Sequence, residues 1–216
     1  MKTPQEKLEE FFKHNTSFSY KKNSTILRPD DDLKDAYYLL HGYVKDSAVS
    51  IDGQEFVLFI FKPEDIFPYN FVFNDLANEH SFVALTPCVV LKCSKSEFLA
   101  FLHANPDVLF MLTKKILGRL RGVLQRLEYM AFGNAHKKVA SIFIILGERF
   151  GEKTKNSIKI ALPISHKGIA ELVGITRETA SVEIKKLEDR KIIKREARFY
   201  TILKRQALLK ESYLYS

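Results

Sequence analysis

The sequence is poor in cysteine, and this scarcity excludes several kinds of site. Only Cys88 and Cys93 occur among 216 residues, too few for a disulfide framework. If the run between them is one strand, their odd spacing puts the thiols on opposite faces, so they cannot bridge each other. Two thiols also cannot hold a four-cysteine iron–sulfur cluster within one chain, and none is expected. We therefore interpret the two cysteines as ordinary buried residues and not as redox-sensing thiols.

Clustered histidines and long apolar runs are also missing. The six histidines stand at positions 14, 41, 80, 103, 136 and 166, with no close pair at metal-ligand spacing. No metal site and no catalytic residue is therefore predicted, which disfavours a metal-dependent cupin, the enzymatic alternative for a chain rich in strands. The N-terminal stretch lacks an apolar signal core, and no run approaches the ~20 apolar residues that span a bilayer. We expect a soluble, cytoplasmic protein without a membrane partner.

Charge is divided unevenly along the chain. The net charge is +8, yet residues 1–104 hold 11 Lys/Arg against 15 Asp/Glu. Residues 105–150 hold 8 against 3, and residues 151–216 hold 15 against 8. The C-terminal half is therefore the basic part, and it is the part expected to meet an anionic partner.

The N-terminal part alternates short β-like runs with turn residues. Runs such as AYYLLHGYV, SFVALTP and CVVLKC, together with the hairpin signal Asp52–Gly53, predict a β-sandwich or barrel. Within it, the run FVLFIF has the composition of a strand buried on both faces. Short helices are predicted before these strands, over residues 4–14, and after them, where Ser94 starts SKSEFLAFLHA. The fold class is α+β.

A long helix is predicted from Pro106 to about Phe132. Its apolar residues recur at heptad spacing, which predicts a seam against a partner helix. The candidate dimer-interface residues are Leu109, Ile116, Leu120, Val123 and Leu127. A second stripe, formed by Phe110, Leu117 and Leu124, lies beside the seam. One stripe would contact the chain's own β domain and the other a partner; alternatively, both belong to one wide core-facing stripe.

The C-terminal part combines two short helices with a basic hairpin. Gly133 and Asn134 break the long helix, and the next helix, AHKKVASIFIILGERFG, is expected to end on a C-terminal glycine at Gly151. Ser165 and Thr176 stand where helix caps are expected, with Gly174 in the turn between them. RKIIKREARFYTILK then reads as two strands joined by a basic turn. These signals together predict a winged helix-turn-helix.

The second of these helices carries two different faces. Ala180, Ile184 and Leu187 form its apolar stripe, whereas Glu178 and Val182 lie opposite. A carboxylate there accepts from cytosine N4, and a valine contacts a thymine methyl group. Nearby cations suit guanine or phosphates, and a merely solvated face would leave the wing and the charge asymmetry unexplained. The candidate DNA-binding residues are Ser165, Thr176, Arg177, Glu178, Ser181, Val182, Lys185, Lys194 and Arg195.

The segment PISHKGIAELVGITRETASVEIKKLEDRKII resembles the DNA-binding domain of the Crp–Fnr family, regulators related to the bacterial cyclic-AMP receptor protein. YYLLHGYV resembles the strand–glycine–strand signature of that family's sensor domain. The resemblance implies a β-roll sensor of the cyclic-nucleotide-binding jelly-roll type at 1–104, a dimerisation helix at 105–133 and a winged helix-turn-helix at 134–216. It also implies a cytoplasmic bacterial homodimer on palindromic double-stranded DNA, with RNA polymerase and a small-molecule effector as further partners. By resemblance Arg177, Glu178 and Ser181 occupy base-reading positions, while Val182 departs from the arginine common there.

The segment PEDIFPYNFVFNDLANEHSFVAL resembles the family's phosphate-binding cassette. A glutamate and an Arg-Ser pair would hold a cyclic nucleotide, and the matching positions are Tyr69, His80 and Ser81, of which only the serine agrees. A histidine of ordinary pKa ~6.5 is mostly neutral at pH 7 and replaces arginine poorly at a phosphate. Cyclic AMP is therefore not expected. Two hypotheses remain: the β-roll binds another effector, or it is a filled structural platform and DNA binding is effector-independent.

Overall fold

The computed structural model describes residues 2–74 and 76–215, and the chain divides into two compact units after Leu117. This division falls inside the long helix, whereas the sequence suggested a separate helical segment at 105–133. The first turns of the helix bury Val108 and Leu112 in the core of the first unit, while Tyr129 near its end is fully buried. Each half of the helix therefore contributes to its own unit.

Two antiparallel four-stranded sheets form the first unit. Their strands are β1 (Thr16–Tyr20), β2 (Thr25–Leu27), β3 (Asp35–His41), β4 (Val44–Val49), β5 (Glu55–Phe61), β6 (Ile66–Phe67), β7 (Ser81–Ala84) and β8 (Cys88–Ser94). One sheet has the strand order β1-β8-β3-β6 and the other β2-β7-β4-β5. The loop containing Asp52 and Gly53 joins β4 to β5, as the hairpin signal predicted.

The sheet containing β3 and β8 is buried on both sides. One face meets the other sheet, and the opposite face is covered by helices. Cys88 and Cys93 lie in β8 and belong to the cores on its two different sides, as their spacing predicted. Burial raises the pKa of both thiols, that of Cys93 to about 12. Both cysteines are therefore buried, poorly ionised residues, in line with the non-redox interpretation.

The prediction that FVLFIF is buried on both faces is wrong. This run forms β5, which is the edge strand of its sheet, and Leu58 and Phe59 remain partly exposed. The doubly buried strand is β3, where Ala36, Tyr37 and Tyr38 are all buried. An apolar run cannot reveal this difference, because burial of the second face depends on which strand the helices cover.

Capping residues mark the starts of two helices of the first unit, and Ser94 begins its helix as predicted. Thr3 and Ser94 each form a capping box, at the starts of the helices that pack on β3 and β8. The helices are α1 (Pro4–Lys13), α2 (Tyr69–Asn74), α3 (Lys95–Ala104) and α4 (Pro106–Phe132). The long helix α4 follows directly after α3.

The second unit combines the end of α4 with further helices and a small antiparallel sheet. Its elements after α4 are α5 (Ala135–Phe150), β9 (Gly151–Lys153), β10 (Ile158–Ile160), α6 (His166–Val173), α7 (Arg177–Asp189), β11 (Ile193–Glu196), β12 (Phe199–Ile202), α8 (Arg205–Glu211) and a final 3-10 turn (Tyr213–Tyr215). The strand order of the sheet is β11-β12-β10-β9, and Asn134 caps α5.

Among the described residues, no helix is both long and apolar enough to cross a bilayer.

Gly151 ends α5 for a different reason from the one expected. Its φ is −85°, which is extended backbone and not the left-handed cap of a typical C-terminal glycine. A Cβ at this position would lie 2.0 Å from the carbonyl oxygen of Gly147 and 2.4 Å from Ile158. Glycine is required here because the chain turns directly into β9, which the sequence analysis did not predict.

Candidate functional site

Two capped helices and one left-handed glycine build the helix-turn-helix. The Ser165 hydroxyl accepts the Gly168 N–H at 3.1 Å at the start of α6. The Thr176 hydroxyl accepts the Thr179 N–H at 3.2 Å at the start of α7. Between them Gly174 has φ 64°, a conformation that glycine adopts at little cost. Ser165 and Thr176 are therefore helix caps in this structure, and their role toward DNA stays a prediction.

The two faces of α7 lie as the helical wheel predicts. Ala180, Ile184 and Leu187 are fully buried. On the opposite side Glu178 is exposed and Val182 is 53% exposed. Arg177, Lys185 and Asp189 are exposed as well. We call Glu178, Val182, Lys185 and Asp189 the exposed face of α7; its acid, methyl and ammonium groups are the kinds of group that contact base edges and phosphates.

A basic hairpin, which we call the wing, follows α7. Its strands β11 and β12 are joined through Ala197, whose φ is 56°. Lys194, Arg195 and Arg198 are exposed. Lys194 forms an ion pair at 2.6 Å with Glu196, itself on the surface. The wing therefore presents cations beside the helix-turn-helix, and Lys194 is partly neutralised by its own neighbour.

Ser181 and Arg195 both contact His166, one at each ring nitrogen. The Ser181 hydroxyl donates to the Arg177 carbonyl at 2.8 Å and lies 2.8 Å from His166 Nδ1. His166 Nε2 lies 3.0 Å from a terminal nitrogen of Arg195. Sequence reasoning did not select His166, because it precedes Arg195 by 29 positions and no local pattern joins them. Its only signal is its place as the first residue after the Ser165 cap.

A second group of charged residues supports α7 from behind. Glu183, buried on α7, lies 2.8 Å from His136 Nδ1 and 2.7 Å from Lys186. His136 Nε2 lies 3.0 Å from Glu211, which also pairs with Arg190 at 2.7 Å. These contacts join the start of α5, helix α7 and the end of α8. The sequence stripe missed Glu183, since a glutamate at a core-facing position looks like a solvated one.

In the cassette of the first unit, the residue at the position of the family's arginine, His80, lies beside an acid. His80 Nδ1 lies 3.1 Å from Asp46 Oδ1 on β4. Burial raises the pKa of Asp46 to about 6 although His80 lowers it. Asn78, buried in the preceding loop, donates to the carbonyl oxygens of Arg28 at 2.5 Å and His80 at 2.7 Å and holds this segment in place. A carboxylate at this position opposes a bound phosphate.

The other cassette candidates lie in different surroundings. Ser81 begins β7 and pairs through its backbone with Ser47 on β4. Tyr69 begins α2, and its ring centroid lies 6.4 Å from that of Phe61 and 6.4 Å from that of Phe73. Phe67 and Phe82 stack at 5.4 Å between the sheets. Aromatic rings therefore pack against one another in the described interior next to the cassette, and whether an effector binds there stays a prediction.

Helix α4 carries a long exposed apolar surface. Leu120 is 52% exposed and Leu127 is 58% exposed; Leu109 and Val123 are exposed too, and Ile116 is partly exposed. The second stripe, Phe110, Leu117 and Leu124, is equally exposed. The hypothesis that one of these stripes packs on the β domain is wrong, as is the single core-facing stripe, because Val108 and Leu112 make that contact instead. Both stripes thus face away from the unit cores.

Comparisons with known proteins agree with this division of the chain. Residues 17–105 match the model of the cyclic nucleotide-binding domain, and residues 137–211 match the Crp-like helix-turn-helix domain. The two matches leave residues 1–16, 106–136 and 212–216 outside them, and the middle stretch contains the whole of α4.

Full-length relatives share both parts. The cAMP-activated global transcriptional regulator CRP of Pasteurella multocida is 26% identical over 187 residues, covering 86% of this chain and 89% of the relative. The global nitrogen regulator of a Nostoc species is 27% identical over 177 residues, covering 81% and 79%. The structure of FixK2 from Bradyrhizobium japonicum has the same fold, with a TM-score of 0.76 at 22% identity over 92% of this chain and 97% of that chain. The chain belongs to the Crp–Fnr family of transcription regulators, with a cyclic-nucleotide-binding-type domain ahead of a DNA-binding helix-turn-helix.

Proposed function

We propose that the protein acts as a homodimer that binds palindromic double-stranded DNA through α7 and so regulates transcription. The observation that carries the proposal is the division of α7 into a buried apolar stripe and an exposed face beside a basic wing. RNA polymerase is the further partner, since the relatives are transcriptional regulators by name.

In this proposal, different residues of the interface have different roles. Glu178 and Arg177 stand in the first turn of α7, the end of a recognition helix that meets base edges in a major groove. Val182 lies one turn further on, where its methyl groups suit thymine. Lys185 and the wing cations Lys194 and Arg195 suit phosphates, which position the protein without reading sequence.

Dimerisation through α4 explains its exposed apolar surface. A seam formed by Leu109, Ile116, Leu120, Val123 and Leu127 has heptad spacing and is self-complementary about a twofold axis. In such a dimer the two α7 helices enter successive major grooves about 34 Å apart, and the target site is an inverted repeat.

The sensor part takes an effector other than cyclic AMP. Cyclic AMP activates the Pasteurella relative by its name, but here His80 replaces the arginine of the family pattern and is paired with Asp46. A second candidate function is effector-independent DNA binding on a filled β-roll. The aromatic packing of Phe61, Phe67 and Phe82 favours this alternative.

The DNA that copurifies with the protein tests the main proposal. Sequencing it after nuclease trimming should reveal an inverted repeat with half-sites one helical turn apart. The exposed-face variant Glu178→Ala serves as control and should enrich the same repeat with relaxed preference at one position per half-site. Fragments without any shared motif, in both proteins, would overturn sequence-specific binding.

A further inference from the structure

We propose that His166 is a positioning residue that holds the wing Arg195 against the recognition helix α7. The inference rests on the proposed DNA binding and concerns how that site is organised. One chain of hydrogen bonds runs from Arg195 through His166 and Ser181 to the Arg177 carbonyl, with separations of 3.0, 2.8 and 2.8 Å. It links three elements: the wing, the start of α6 and the first turn of α7.

The donor and acceptor roles in this chain are determined by its first member. A guanidinium only donates, so His166 Nε2 must accept from Arg195. A neutral imidazole then carries its proton on Nδ1, which donates to the Ser181 oxygen. The Ser181 hydroxyl in turn donates to the Arg177 carbonyl. Every group has one consistent role, and only the Nδ1–H tautomer satisfies them all.

The charge state of His166 agrees with this assignment. Burial lowers the pKa of His166, and the positive charges of Arg195 and Arg177 lower it further. A neutral ring, with one acceptor nitrogen, is therefore favoured near pH 7.

The side chain of Arg195, at the end of these hydrogen bonds, is held more firmly than that of its neighbour Lys194. The Arg195 Nε–H donates to the Ala197 carbonyl at 2.9 Å, so the guanidinium is held from two sides. A guanidinium has five N–H donors and these two contacts use two of them, so the others can bind a phosphate in a preformed orientation. Lys194 pairs with the exposed Glu196 through a flexible stem. Preorganisation makes Arg195 the stronger phosphate ligand, because less side-chain entropy is lost on binding.

The same chain restricts what Ser181 offers to DNA. Its hydrogen points to the Arg177 carbonyl and one lone pair accepts from His166, so the hydroxyl has one lone pair left and acts toward DNA as an acceptor. Ser181 therefore suits a base amino group, such as that of adenine or cytosine, and not a base carbonyl.

A double-mutant cycle tests the positioning role. DNA affinity is measured for the full-length protein, His166→Ala, Arg195→Ala and the double variant, on the repeat obtained by copurification. Arg195→Ala should weaken binding about tenfold in the native background, the effect of losing a charge-assisted contact, and by less than about threefold in His166→Ala. The matched control Lys194→Ala should cost the same factor in both backgrounds. His166→Gln, whose amide oxygen accepts a hydrogen bond, should restore most of the Arg195 effect.

Equal losses from Arg195→Ala in both backgrounds, with unfolding temperatures unchanged, would overturn the positioning role while leaving DNA binding intact.

A second measurement does not need DNA at all. Long-range ¹H–¹⁵N correlation spectra of the free protein should show His166 protonated on Nδ1 and unprotonated on Nε2. The opposite tautomer would rule out the chain even if the protein proved not to bind DNA, so the two proposals fail separately.

Discussion

Glu178 and Lys194 are both charged and exposed in the same candidate interface, yet their surroundings give them different tasks. Glu178 projects from the first turn of α7, where a side chain reaches base edges. Lys194 lies on the wing and shares its charge with Glu196 at 2.6 Å. A base contact discriminates among sequences, whereas a phosphate contact adds salt-dependent affinity to every sequence alike.

We expect Glu178→Ala to relax preference at one base pair in each half-site, by roughly 1–3 kcal/mol, because it removes an acceptor for a base amino group. Binding to a randomised site library, read by sequencing, measures the change. The control Lys194→Ala should weaken binding to all sequences and flatten the salt slope by about one. If both variants lost affinity uniformly across the library, the exposed face of α7 would be an electrostatic patch only.

Val182 gives a gain-of-function prediction at the same scale. Its side chain is 53% exposed on the face of α7, so a longer side chain fits without disturbing the core. Val182→Arg should shift the preferred base toward guanine, since a bidentate donor replaces a methyl contact. The same library measures the shift, and Val182→Leu serves as the apolar control. An unchanged base preference in Val182→Arg would place position 182 outside the groove.

At the scale of elements, the orientation of α7 depends on more than its apolar stripe. Burial raises the pKa of Glu183, but Lys186 and His136 together bring it below its usual value. Arg190 lowers the pKa of Glu211, against a smaller opposing effect of burial, and His136 lowers it further. Carboxylates with lowered pKa stabilise the fold while they are ionised. Their contribution is therefore present above the usual glutamate pKa of 4.5 and is lost as the pH falls below it.

Glu211→Gln should accordingly lower the thermal unfolding temperature at pH 7, because His136 and Arg190 lose a charged partner. The difference from the native protein should shrink as the pH falls below 4.5 and through the lowered pKa of the folded state, where the native carboxylate is also neutralised. Circular dichroism melts of the full chain at pH 7, 5 and 3.5 measure it.

Glu148→Gln is the matched control for this melt, since it removes only the exposed ion pair with Arg205. Exposed pairs contribute little to stability, so its unfolding temperature should equal that of the native protein at every pH. A Glu211→Gln difference that persisted unchanged at pH 3.5 would show that packing, and not charge, is responsible.

At the scale of the whole molecule, the exposed leucines of α4 form the proposed dimer seam. Leu120→Asp combined with Leu127→Asp would place four carboxylates in a twofold seam, where unpaired charges are costly. Sedimentation should then show monomers. Lys114→Asp with Arg121→Asp, the same spacing on another exposed side of α4, should leave the dimer intact. A dimer that survived the leucine substitutions would assign the interface elsewhere.

Cyclic AMP provides the second test at this scale. The Asp46 carboxylate lies beside His80, which stands at the position of the family's arginine, so calorimetry should detect no micromolar binding of cyclic AMP. A cyclic-AMP-binding relative measured in the same way supplies the positive control. Micromolar binding here would restore the nucleotide as effector and refute the reading of the cassette.

Local signals account for most of what was predicted correctly. Capping residues such as Ser94, Ser165 and Thr176 act within three positions, so their hydrogen bonds follow from sequence spacing alone. The apolar stripe of α7 likewise follows from helical periodicity. Family membership came from the same segment, because its helices and turn are contiguous in the chain.

The sequence by itself determined the long helix, the helix-turn-helix with its two faces and the opposite placement of Cys88 and Cys93. Only the tertiary structure decided which strand is buried on both faces and that Gly151 lies where a side chain would collide with Gly147 and Ile158. It also decided that His166 forms a hydrogen bond with Arg195, which is 29 positions away in the sequence. The physical reason is range. Periodicity and capping are properties of neighbouring residues, whereas burial of a second sheet face and a hydrogen bond between wing and helix depend on how distant segments pack together.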